Sequence, residues 1–437
     1  MDIAELLSYR KNDPLWNTSY PLAPKDWEPF RVASPLDFKG ESELSFYIHI
    51  PFCKQLCSFC EYTRMMCPDD ETQKKYLTTI LSDILKFKEH NSSFLLKGFD
   101  IGGGTPTALS DANFNFLMDI YGQALIDLTV SDDFEPSIEA TFQTLSASKL
   151  ESLVRKKILR LSLGVQTTCK DVLGQHHRRM VQLDEMKRWM NQAWEIGIAK
   201  INLDLMYGLA GQSSTTIDED LQAIKVLRPQ QVTLYELRIN MLNVYNNCSK
   251  QELFDMYKQY YDGLLELGYY ARFGQNTFSL DPDDCGVSSY LRSRMLYGVS
   301  YKGFGLSAQS MNKQGIAYNM GKSKASISQL MECDSFSEEY TYLLPGEEIA
   351  SKYIAISAYN CSFSTKRASE LLEYSFVDKF KEQLDFCLTN DYVTFDGDRV
   401  CITPKGFPFY GAVFSLFYPS EIYADVLINS RINAACP

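Results

Sequence analysis

Short apolar segments alternate with longer amphipathic segments from residue 44 to about residue 300. The apolar segments are typical of buried strands, and the segments between them have the apolar spacing of helices. The predicted strands are residues 45–50, 98–101, 137–140, 160–164, 200–205, 231–237 and 269–273. This alternation predicts an α/β fold with a parallel sheet and helices outside it. Six or seven such units favour a partial (β/α)6-type TIM barrel, with sites at the carboxyl ends of its strands.

The two ends of the chain differ from this alternating core. Residues 1–43 are polar and proline-containing, and they predict an extension packed over the main domain. We assign the barrel to residues 44–310. Residues 311–437 contain helical patterns followed by two alternating segments around an Asp396-Gly397 turn, which is typical of a hairpin. We therefore expect a C-terminal, mainly helical, winged-helix-like domain that packs on the barrel or covers its substrate.

Charge and cysteine content narrow the partners and the compartment. A net charge of −12 argues against a nucleic-acid partner, because nucleic-acid phosphates attract basic proteins. No apolar run of about 18 residues exists, and the first residues lack a basic segment followed by an apolar one, so neither a membrane span nor a secretion signal is predicted. Most of the twelve cysteines are scattered singly, unlike a secreted disulfide scaffold. We expect a cytoplasmic protein with a small-molecule substrate.

Three cysteines follow the first predicted strand at spacings of four and three residues: Cys53, Cys57 and Cys60. Pro51 ends the apolar strand, so the thiols belong to a loop at its carboxyl end. Three thiolates do not complete a structural zinc site, which takes four ligands. They are sufficient for three irons of a [4Fe–4S] cluster, and the fourth iron then accepts a ligand from solution. A zinc site with a remote fourth ligand and three unrelated buried cysteines are the alternatives.

Other polar groups lie at the ends of the following strands. A glycine-rich turn, residues 102–106, comes directly after the second strand, and glycines let a backbone approach a small charged group closely. Glu139, Gln166 and Asp204 come at the ends of three further strands. A simple turn and solvated strand-end side chains are the alternatives. Because the carboxyl ends of parallel strands meet at one edge, these groups are expected near the cysteine loop.

The spacing Cys53-x3-Cys57-x-Phe59-Cys60 resembles the cluster loop of the radical S-adenosylmethionine (SAM) enzymes. The preceding Tyr47-Ile-His-Ile-Pro-Phe-Cys53 resembles one branch of that family, oxygen-independent coproporphyrinogen III oxidase and its relatives. The resemblance implies that the three cysteines hold a [4Fe–4S] cluster and that SAM is cleaved reductively to a 5′-deoxyadenosyl radical. It also implies that Tyr47 contacts the SAM sulfonium and that Phe59 lies near the adenine. A flavodoxin or ferredoxin would then donate the electron.

Further motifs of the same family follow in its order. The turn Gly102-Gly103-Gly104-Thr105-Pro106 resembles the family's Gly-Gly-Gly-Thr-Pro, which implies that Gly103, Gly104 and Thr105 hold the amino group of SAM. The other implied SAM contacts are Glu139 to the amino group or ribose, Gln166, Arg178 to the carboxylate with Arg179 as an alternative, and Asp204 near the ribose. The stretch 302–310 resembles one that lies beside a second SAM or the substrate in relatives, which assigns Gly305 and Ala308 there.

Two departures from this branch bear on the reaction. Coproporphyrinogen oxidase has a fourth cysteine two residues after the third ligand, where this chain has Tyr62, and Cys67 stands at a different spacing. The haem-chaperone relatives carry histidine and tryptophan in a stretch that corresponds to residues 288–299, which has neither. By elimination, we expect transfer of a methyl or methylene carbon from a second SAM, as in class C methyltransferases and cyclopropane-forming enzymes. Tetrapyrrole chemistry and a haem-chaperone role are the alternatives.

Overall fold

The computed structural model describes residues 2–11, 24–91, 93–237, 248–321 and 327–418. Its strands are β1 Arg31–Val32, β2 Glu43–Ile50, β3 Phe52–Cys53, β4 Met65–Met66, β5 Leu95–Gly103, β6 Thr129–Val130, β7 Ser137–Ala140, β8 Arg160–Gln166, β9 Lys200–Tyr207, β10 Gln231–Glu236, β11 Thr277–Ser279, β12 Tyr301–Phe304, β13 Gln309–Asn312, β14 Gly315–Asn319, β15 Glu338–Leu343, β16 Ser362–Ser364, β17 Val393–Asp396 and β18 Arg399–Ile402. Its α-helices are α1 Ile3–Lys11, α2 Asp70–His90, α3 Asp111–Leu125, α4 Ala147–Arg155, α5 Lys170–Gln175, α6 Leu183–Glu195, α7 Ser214–Leu227, α8 Lys250–Glu266, α9 Ser289–Leu291, α10 Ile327–Leu330, α11 Gly346–Ser357, α12 Thr365–Leu372, α13 Phe376–Lys379, α14 Lys381–Thr389 and α15 Tyr410–Ser415. Strands and helices alternate from β2 to α8, which confirms the predicted α/β fold.

One large sheet forms the body of the protein. Seven neighbouring strands, in the order β12, β2, β5, β7, β8, β9 and β10, run parallel to one another. Antiparallel strands extend this array on both sides, β11 next to β10, and β13, β14, β15 and β1 beyond β12. In the described part of the chain the outermost strands, β1 and β11, do not pair with each other. This is the arrangement of a partial barrel.

Aromatic side chains pack the outer face of the parallel strands against helix α2. The ring centroid of Phe46 in β2 lies 5.8 Å from that of Phe99 in β5, 5.4 Å from that of Phe304 in β12 and 5.8 Å from that of Phe87 in α2. Successive strand residues point to opposite faces, so Tyr47 of β2 points into the barrel lumen. The side chains on the outer face of each strand therefore pack against the helices. The alternate side chains face the lumen and are available to a site.

Two features of the sheet differ from the sequence-based expectations. The predicted strand at residues 269–273 is wrong: the strand lies at Thr277–Ser279 and runs antiparallel to β10. A glycine with positive φ stands on each side of the segment, Gly268 before it and Gly274 after it. The resulting turns prevent residues 269–273 from forming a longer extended strand. The large sheet also continues past residue 310 through β13, β14 and β15. The division into residues 1–43, 44–310 and 311–437 stays a prediction.

After β15 the chain forms a mainly helical unit. Helices α11 to α15 accompany a three-stranded antiparallel sheet in the order β16, β18, β17, and β17 and β18 form the predicted hairpin. This unit packs on α8, where the ring of Tyr257 stacks on that of Phe407 at 4.3 Å. The winged-helix-like C-terminal part of the fold prediction is confirmed. Within the described ranges, no helix is both long and apolar enough to cross a membrane.

Candidate functional site

The predicted cluster loop lies at the carboxyl end of β2. Strands β3 and β4 pair in parallel across its base, and Met65 N donates to Pro51 O at 2.8 Å. Within the loop, Cys60 N donates to Cys57 O at 3.2 Å, and Arg64 Nη2 donates to the same carbonyl oxygen at 2.6 Å. These bonds close the loop on itself, so the three cysteines share one short, constrained segment.

The sulfur atoms of the loop are shielded from water. Cys53 and Cys57 are buried, Cys60 is half-buried, and all three are free thiols. Thr105 Oγ1 lies 3.8 Å from Cys53 Sγ, and Arg178 Nη1 lies 3.4 Å from Cys57 Sγ. Burial raises the pKa of Cys53 to about 11 and also raises the pKa of Cys60, because a thiolate loses its hydration there. A metal that binds these thiolates replaces that lost hydration.

The three loop thiols suit an iron–sulfur cluster. Among the residues that the structure describes, no group of three or more His, Cys, Asp or Glu side chains is placed to hold a single metal ion. A [4Fe–4S] cluster binds each thiolate through a different iron, and hydrogen bonds to the sulfurs tune it. Three free thiols on one loop, with Thr105 and Arg178 donating toward two of them, therefore fit a cluster with one open iron.

The glycine-rich turn packs the end of β5 against the cluster loop. Gly104 N donates to Ile50 O at 2.8 Å, and a Cβ at Gly104 would lie 2.7 Å from the carbonyl carbon of Pro51. Gly103 has a φ of +112°, which residues with side chains rarely adopt, and its N donates to Glu139 Oε2 at 2.9 Å. The absence of side chains thus lets β5 approach the loop closely. Thr105 follows directly and is buried beside Cys53.

Three carboxyl groups from the parallel strands face the barrel lumen: Asp100 of β5, Glu139 of β7 and Asp204 of β9. Burial raises the pKa of Asp100 and of Glu139 to about 7 each, and that of Asp204 to about 6. The positive charge of Arg160 acts in the opposite direction and lowers the pKa of all three carboxyl groups. Ser162 Oγ donates to Asp204 Oδ2 at 3.0 Å. Glu139 is nevertheless accessible from the lumen. A cationic ligand there would favour the ionised carboxylates.

Gln166 and Arg178 meet at the end of β8. Gln166 has a φ of +73°, and the register between β8 and β9 shifts at this point. A Cβ at Gly164 would lie 3.0 Å from Gln166 Nε2 and 3.3 Å from Arg178 Nη2, so both side chains converge on this glycine. Positive φ at a residue with a side chain is a strained conformation that is common at functional sites. Arg178 reaches the cluster loop, whereas the alternative, Arg179, is exposed.

Tyr47 lies on strand β2, and Phe59 lies within the cluster loop itself. The Tyr47 ring stacks on Tyr290 with 5.7 Å between centroids, and its hydroxyl lies 3.2 Å from His49 Nδ1. His49 Nε2 is 2.8 Å from Thr63 O, which links β2 to the far end of the loop. Burial, and then the Glu139 carboxyl, raises the pKa of Tyr47, so its hydroxyl is neutral. Phe59 packs in a small apolar cluster of Val172, Met206, Leu209 and Leu237.

Gly305 and Ala308, assigned from the resemblance to a second SAM or the substrate, lie in the turn between β12 and β13. Both are buried in the protein. The Tyr76 hydroxyl donates to His49 O at 2.7 Å and accepts from Leu306 N at 3.0 Å, which fixes this turn against β2. The assignment of these two residues stays a prediction.

Sequence reasoning gave no role to two charged groups of the lumen. Arg160 donates to Gln231 Oε1 and to Ser137 Oγ, both at 2.8 Å. Asp100 Oδ2 accepts from Ser288 Oγ at 2.6 Å, and its Oδ1 is buried without a partner. The available signal was a charged residue within an apolar strand: Asp100 precedes the glycine-rich turn by two positions, and Arg160 begins the strand that ends at Gln166. Both belong to the polar lining around the candidate site.

Comparisons with known proteins agree with this geometry. The family model for the Radical SAM superfamily matches residues 47–224. The heme chaperone HemW of Bacillus subtilis is 34% identical over 207 residues, which cover 47% of this chain and 54% of that protein. The oxygen-independent coproporphyrinogen III oxidase of Escherichia coli is 26% identical over 348 residues, or 76% of this chain and 72% of that protein. The solved structure of coproporphyrinogen III oxidase (HemN) from Escherichia coli, a radical SAM enzyme, has a TM-score of 0.71 at 24% identity and covers 87% of this chain and 91% of that one.

The chain contains a radical SAM domain over residues 47–224. Its relatives are of the coproporphyrinogen III oxidase and HemW type, as the resemblance in the sequence predicted. A radical SAM enzyme uses a [4Fe–4S] cluster and SAM, and these are the cofactors of this chain. The match with the Bacillus protein spans about half of that protein's length. The named activities of the relatives are therefore taken up below as proposals.

Proposed function

We propose that this radical SAM enzyme transfers a methyl or methylene carbon from a second SAM to an unactivated centre of a small molecule or natural product. The observation that carries the proposal is Tyr62. It stands where coproporphyrinogen oxidase has its fourth cysteine, and it is 57% exposed at the edge of the cluster loop. A tyrosine there does not reproduce the thiol of that oxidase, which supports a different use of the radical.

The proposed roles of the site residues follow from their positions. Cys53, Cys57 and Cys60 hold the cluster, and when bound the cluster and SAM supply a 5′-deoxyadenosyl radical. The SAM-binding residues are proposed to be Tyr47, Phe59, Gly103, Gly104, Thr105, Glu139, Gln166, Arg178 and Asp204, and Gly305 and Ala308 are proposed to lie beside the second SAM or the substrate. Arg178 offers a planar donor edge that suits a carboxylate, and Glu139 offers a carboxylate that suits an amino group.

Exclusion of water from the lumen supports radical chemistry in this barrel. The stacked rings of Tyr47 and Tyr290 cover the lumen side of β2. Below them a Cβ at Gly98 would lie 2.3 Å from Tyr290 N, so the backbone at Tyr290 lies directly against β5 and closes the amino-terminal end of the barrel. Substrate is therefore proposed to enter from the cluster-loop end.

An external electron donor is part of the proposal. A flavodoxin or a ferredoxin would approach the outer side of the cluster loop, where Lys54 is exposed beside the apolar side chains of Leu56 and Met66, which are 40% and 52% exposed. A lysine suits the acidic surface of a small electron carrier. We propose neither a nucleic-acid nor a membrane partner.

Tetrapyrrole chemistry is the second candidate function. It is supported by the similarity to the Escherichia coli coproporphyrinogen III oxidase, which extends over 76% of this chain. A haem-chaperone role rests on the match with HemW. Axial ligation by histidine has less support. Of the four histidines, His49 and His176 are buried and bonded to the cluster loop, and His90 and His177 are exposed on the surface.

Products of SAM separate these functions. The anaerobically reconstituted protein is incubated with dithionite and SAM, with and without a small-molecule cell extract, coproporphyrinogen III or haem. Carbon transfer predicts 5′-deoxyadenosine together with S-adenosylhomocysteine, and the latter only with the extract. Consumption of coproporphyrinogen III or haem without S-adenosylhomocysteine would favour tetrapyrrole chemistry. Tight haem binding with no 5′-deoxyadenosine would contradict the enzyme proposal altogether.

A further inference from the structure

A short helical segment forms the floor of the barrel. Helix α9 and the turn that follows it, Arg292–Leu296, cross beneath the parallel strands. Ser293 Oγ lies 2.7 Å from Ser45 Oγ at the start of β2, and Ser288 Oγ donates to Asp100 at 2.6 Å. These bonds hold the segment under the lumen, and the stacking of Tyr290 on Tyr47 shows that side chains of this floor point up into it.

Among the residues that the structure describes, no carboxylate forms an ion pair with Arg294 of this floor. Its Nη2 donates to Gln309 Oε1 at 3.0 Å, an oxygen that also accepts from the Tyr301 hydroxyl. Its guanidinium carbon lies 4.4 Å from the Tyr301 ring centroid. Its Nε is buried and has no hydrogen-bond partner within the described ranges. The hydroxyls of Tyr290 and Tyr301 also bond to Arg294, so its partners are one amide oxygen, two neutral hydroxyls and an aromatic face, and none of them carries a full negative charge.

Two other arginines of the barrel, Arg292 and Arg160, lie near carboxyl groups that compensate their positive charge. Arg292, two residues earlier on the same segment, points outward and pairs with Asp133 at 3.0 Å. Arg160, also in the lumen, lies near the three carboxyl groups of Asp100, Glu139 and Asp204, whose pKa values it lowers. Arg294 lies on the other side of the lumen, toward β12 and β13. Its counter-anion is therefore expected to come from a ligand.

We propose that Arg294 anchors an anionic group of the substrate, and that the body of this substrate packs on the ring of Tyr47, which is partly exposed. The substrate class is then a small apolar or aromatic carboxylate. The free Nε edge of a guanidinium suits one carboxylate oxygen, and the ring of Tyr47 suits a flat apolar body. This inference rests on the proposed function, because it places the substrate in the same lumen as the bound SAM.

Benzoate and its uncharged analogue benzamide are the probes for this inference. Their binding to the anaerobically purified, cluster-containing protein is measured by isothermal titration calorimetry. We expect benzoate to bind the wild-type protein about tenfold more tightly than benzamide, because a charge-assisted hydrogen bond is stronger than a neutral one. R294M is expected to abolish this preference, and R294K to keep part of it, since lysine retains the charge without the planar donor edge. Equal affinities in the wild type, or an unchanged preference in R294M, would overturn the inference.

Two further variants locate the binding group. R292M removes the outward arginine of the same segment and is expected to keep the benzoate preference. Arg294 also lines, with Tyr353 and Arg367, a narrow cleft of about 10 Å³. R367M is expected to keep the preference as well. Loss of the preference in R367M, with its retention in R294M, would place the anion in that cleft and refute a site in the lumen.

The outcomes distinguish this inference from the proposed function. If R294M does not fold, the inference is still tested by the affinities of the wild-type protein for benzoate and benzamide and by the R294K variant. A benzoate preference without any 5′-deoxyadenosine from the wild-type protein would refute the proposed function alone. Formation of 5′-deoxyadenosine without a benzoate preference would refute this inference alone.

Discussion

Four cysteines lie within fifteen residues of the chain, and their sulfur atoms have different surroundings. Cys53 Sγ and Cys57 Sγ face donors from Thr105 and Arg178. Cys67 Sγ accepts from Gln73 Nε2 at 3.5 Å but also donates to Ala108 O at 3.3 Å, as a protonated thiol does, and burial raises its pKa. The bond from Cys67 to a carbonyl oxygen supports our proposal that the loop thiols bind the metal and that Cys67 has a packing role.

Substitution of single cysteines tests this assignment. Cys53→Ala removes one of three anchors, so we expect the anaerobically purified variant to contain almost no iron or sulfide. Cys67→Ala is the matched control and is expected to retain the iron and sulfide content of the wild type. A full cluster in Cys53→Ala, or an empty Cys67→Ala protein, would contradict the ligand set.

The carboxyl group of Glu139 predicts a pH dependence of SAM binding. Burial raises its pKa to about 7, so the group is increasingly protonated as the pH falls through 7. A protonated carboxyl group does not pair with the amino group of SAM. We therefore expect the affinity for SAM to fall as the pH is lowered from 8 to 6, by up to about tenfold per unit below the pKa.

Equilibrium dialysis of SAM against the cluster-containing protein measures this dependence. Glu139→Gln is expected to bind about tenfold more weakly at pH 8 and to show a shallower pH dependence, since a neutral amide loses the charged hydrogen bond. Glu135→Gln is the control, because Glu135 pairs with Lys200 at 2.8 Å, before β7 begins. An unchanged pH profile in Glu139→Gln would assign the titration to another group.

At the scale of elements, the floor segment depends on a glycine in β5. A Cβ at Gly98 would lie 2.3 Å from Tyr290 N and 2.4 Å from its Cα. Both atoms belong to the backbone, so the clash is relieved only if α9 moves away from the sheet. Gly98→Ala is expected to lower the free energy of unfolding by about 1–3 kcal/mol.

Denaturant unfolding followed by circular dichroism measures this effect. Gly122→Ala in α3 is the control, because the nearest atom to its Cβ would be Lys156 Nζ at 3.3 Å, the end of a flexible side chain. That variant is expected to be neutral or up to about 1 kcal/mol more stable, since alanine favours helices over glycine. Wild-type stability of Gly98→Ala would show that the floor is not packed as described.

For the whole molecule, the sequence predicts the parallel core better than its additions. Six predicted strands correspond to β2, β5, β7, β8, β9 and β10, because strands buried on both faces read as apolar runs. The strands β12 to β15 were not predicted as a sheet, since Gly303, Gly305 and Gly315 interrupt the pattern there. The candidate site at the strand ends follows from the parallel order. The position of Arg294 does not, because its neighbours Tyr301 and Gln309 come from β12 and β13, which only tertiary packing brings to it.

The barrel and the C-terminal unit share one packed interface. Tyr257 of α8 stacks on Phe407, and Arg272 Nη2 donates to Asn360 O and Ser362 Oγ, both at 2.9 Å. Because these contacts are buried and join both units, we expect the wild-type protein to unfold in one calorimetric transition. The interface then behaves as part of one hydrophobic core, and removal of a single large side chain from it should weaken that core.

Phe407→Ala removes the stacked ring from that interface. We expect it to lower the free energy of unfolding by about 3–5 kcal/mol and to separate the unfolding of the C-terminal unit from that of the barrel. Phe395→Ala is the matched control, because that ring is 42% exposed on β17, and its effect is expected to stay within about 0.5 kcal/mol. Differential scanning calorimetry measures both variants. Two transitions already present in the wild-type protein would contradict a shared core, and a single unshifted transition in Phe407→Ala would show that the stack does not couple the two units.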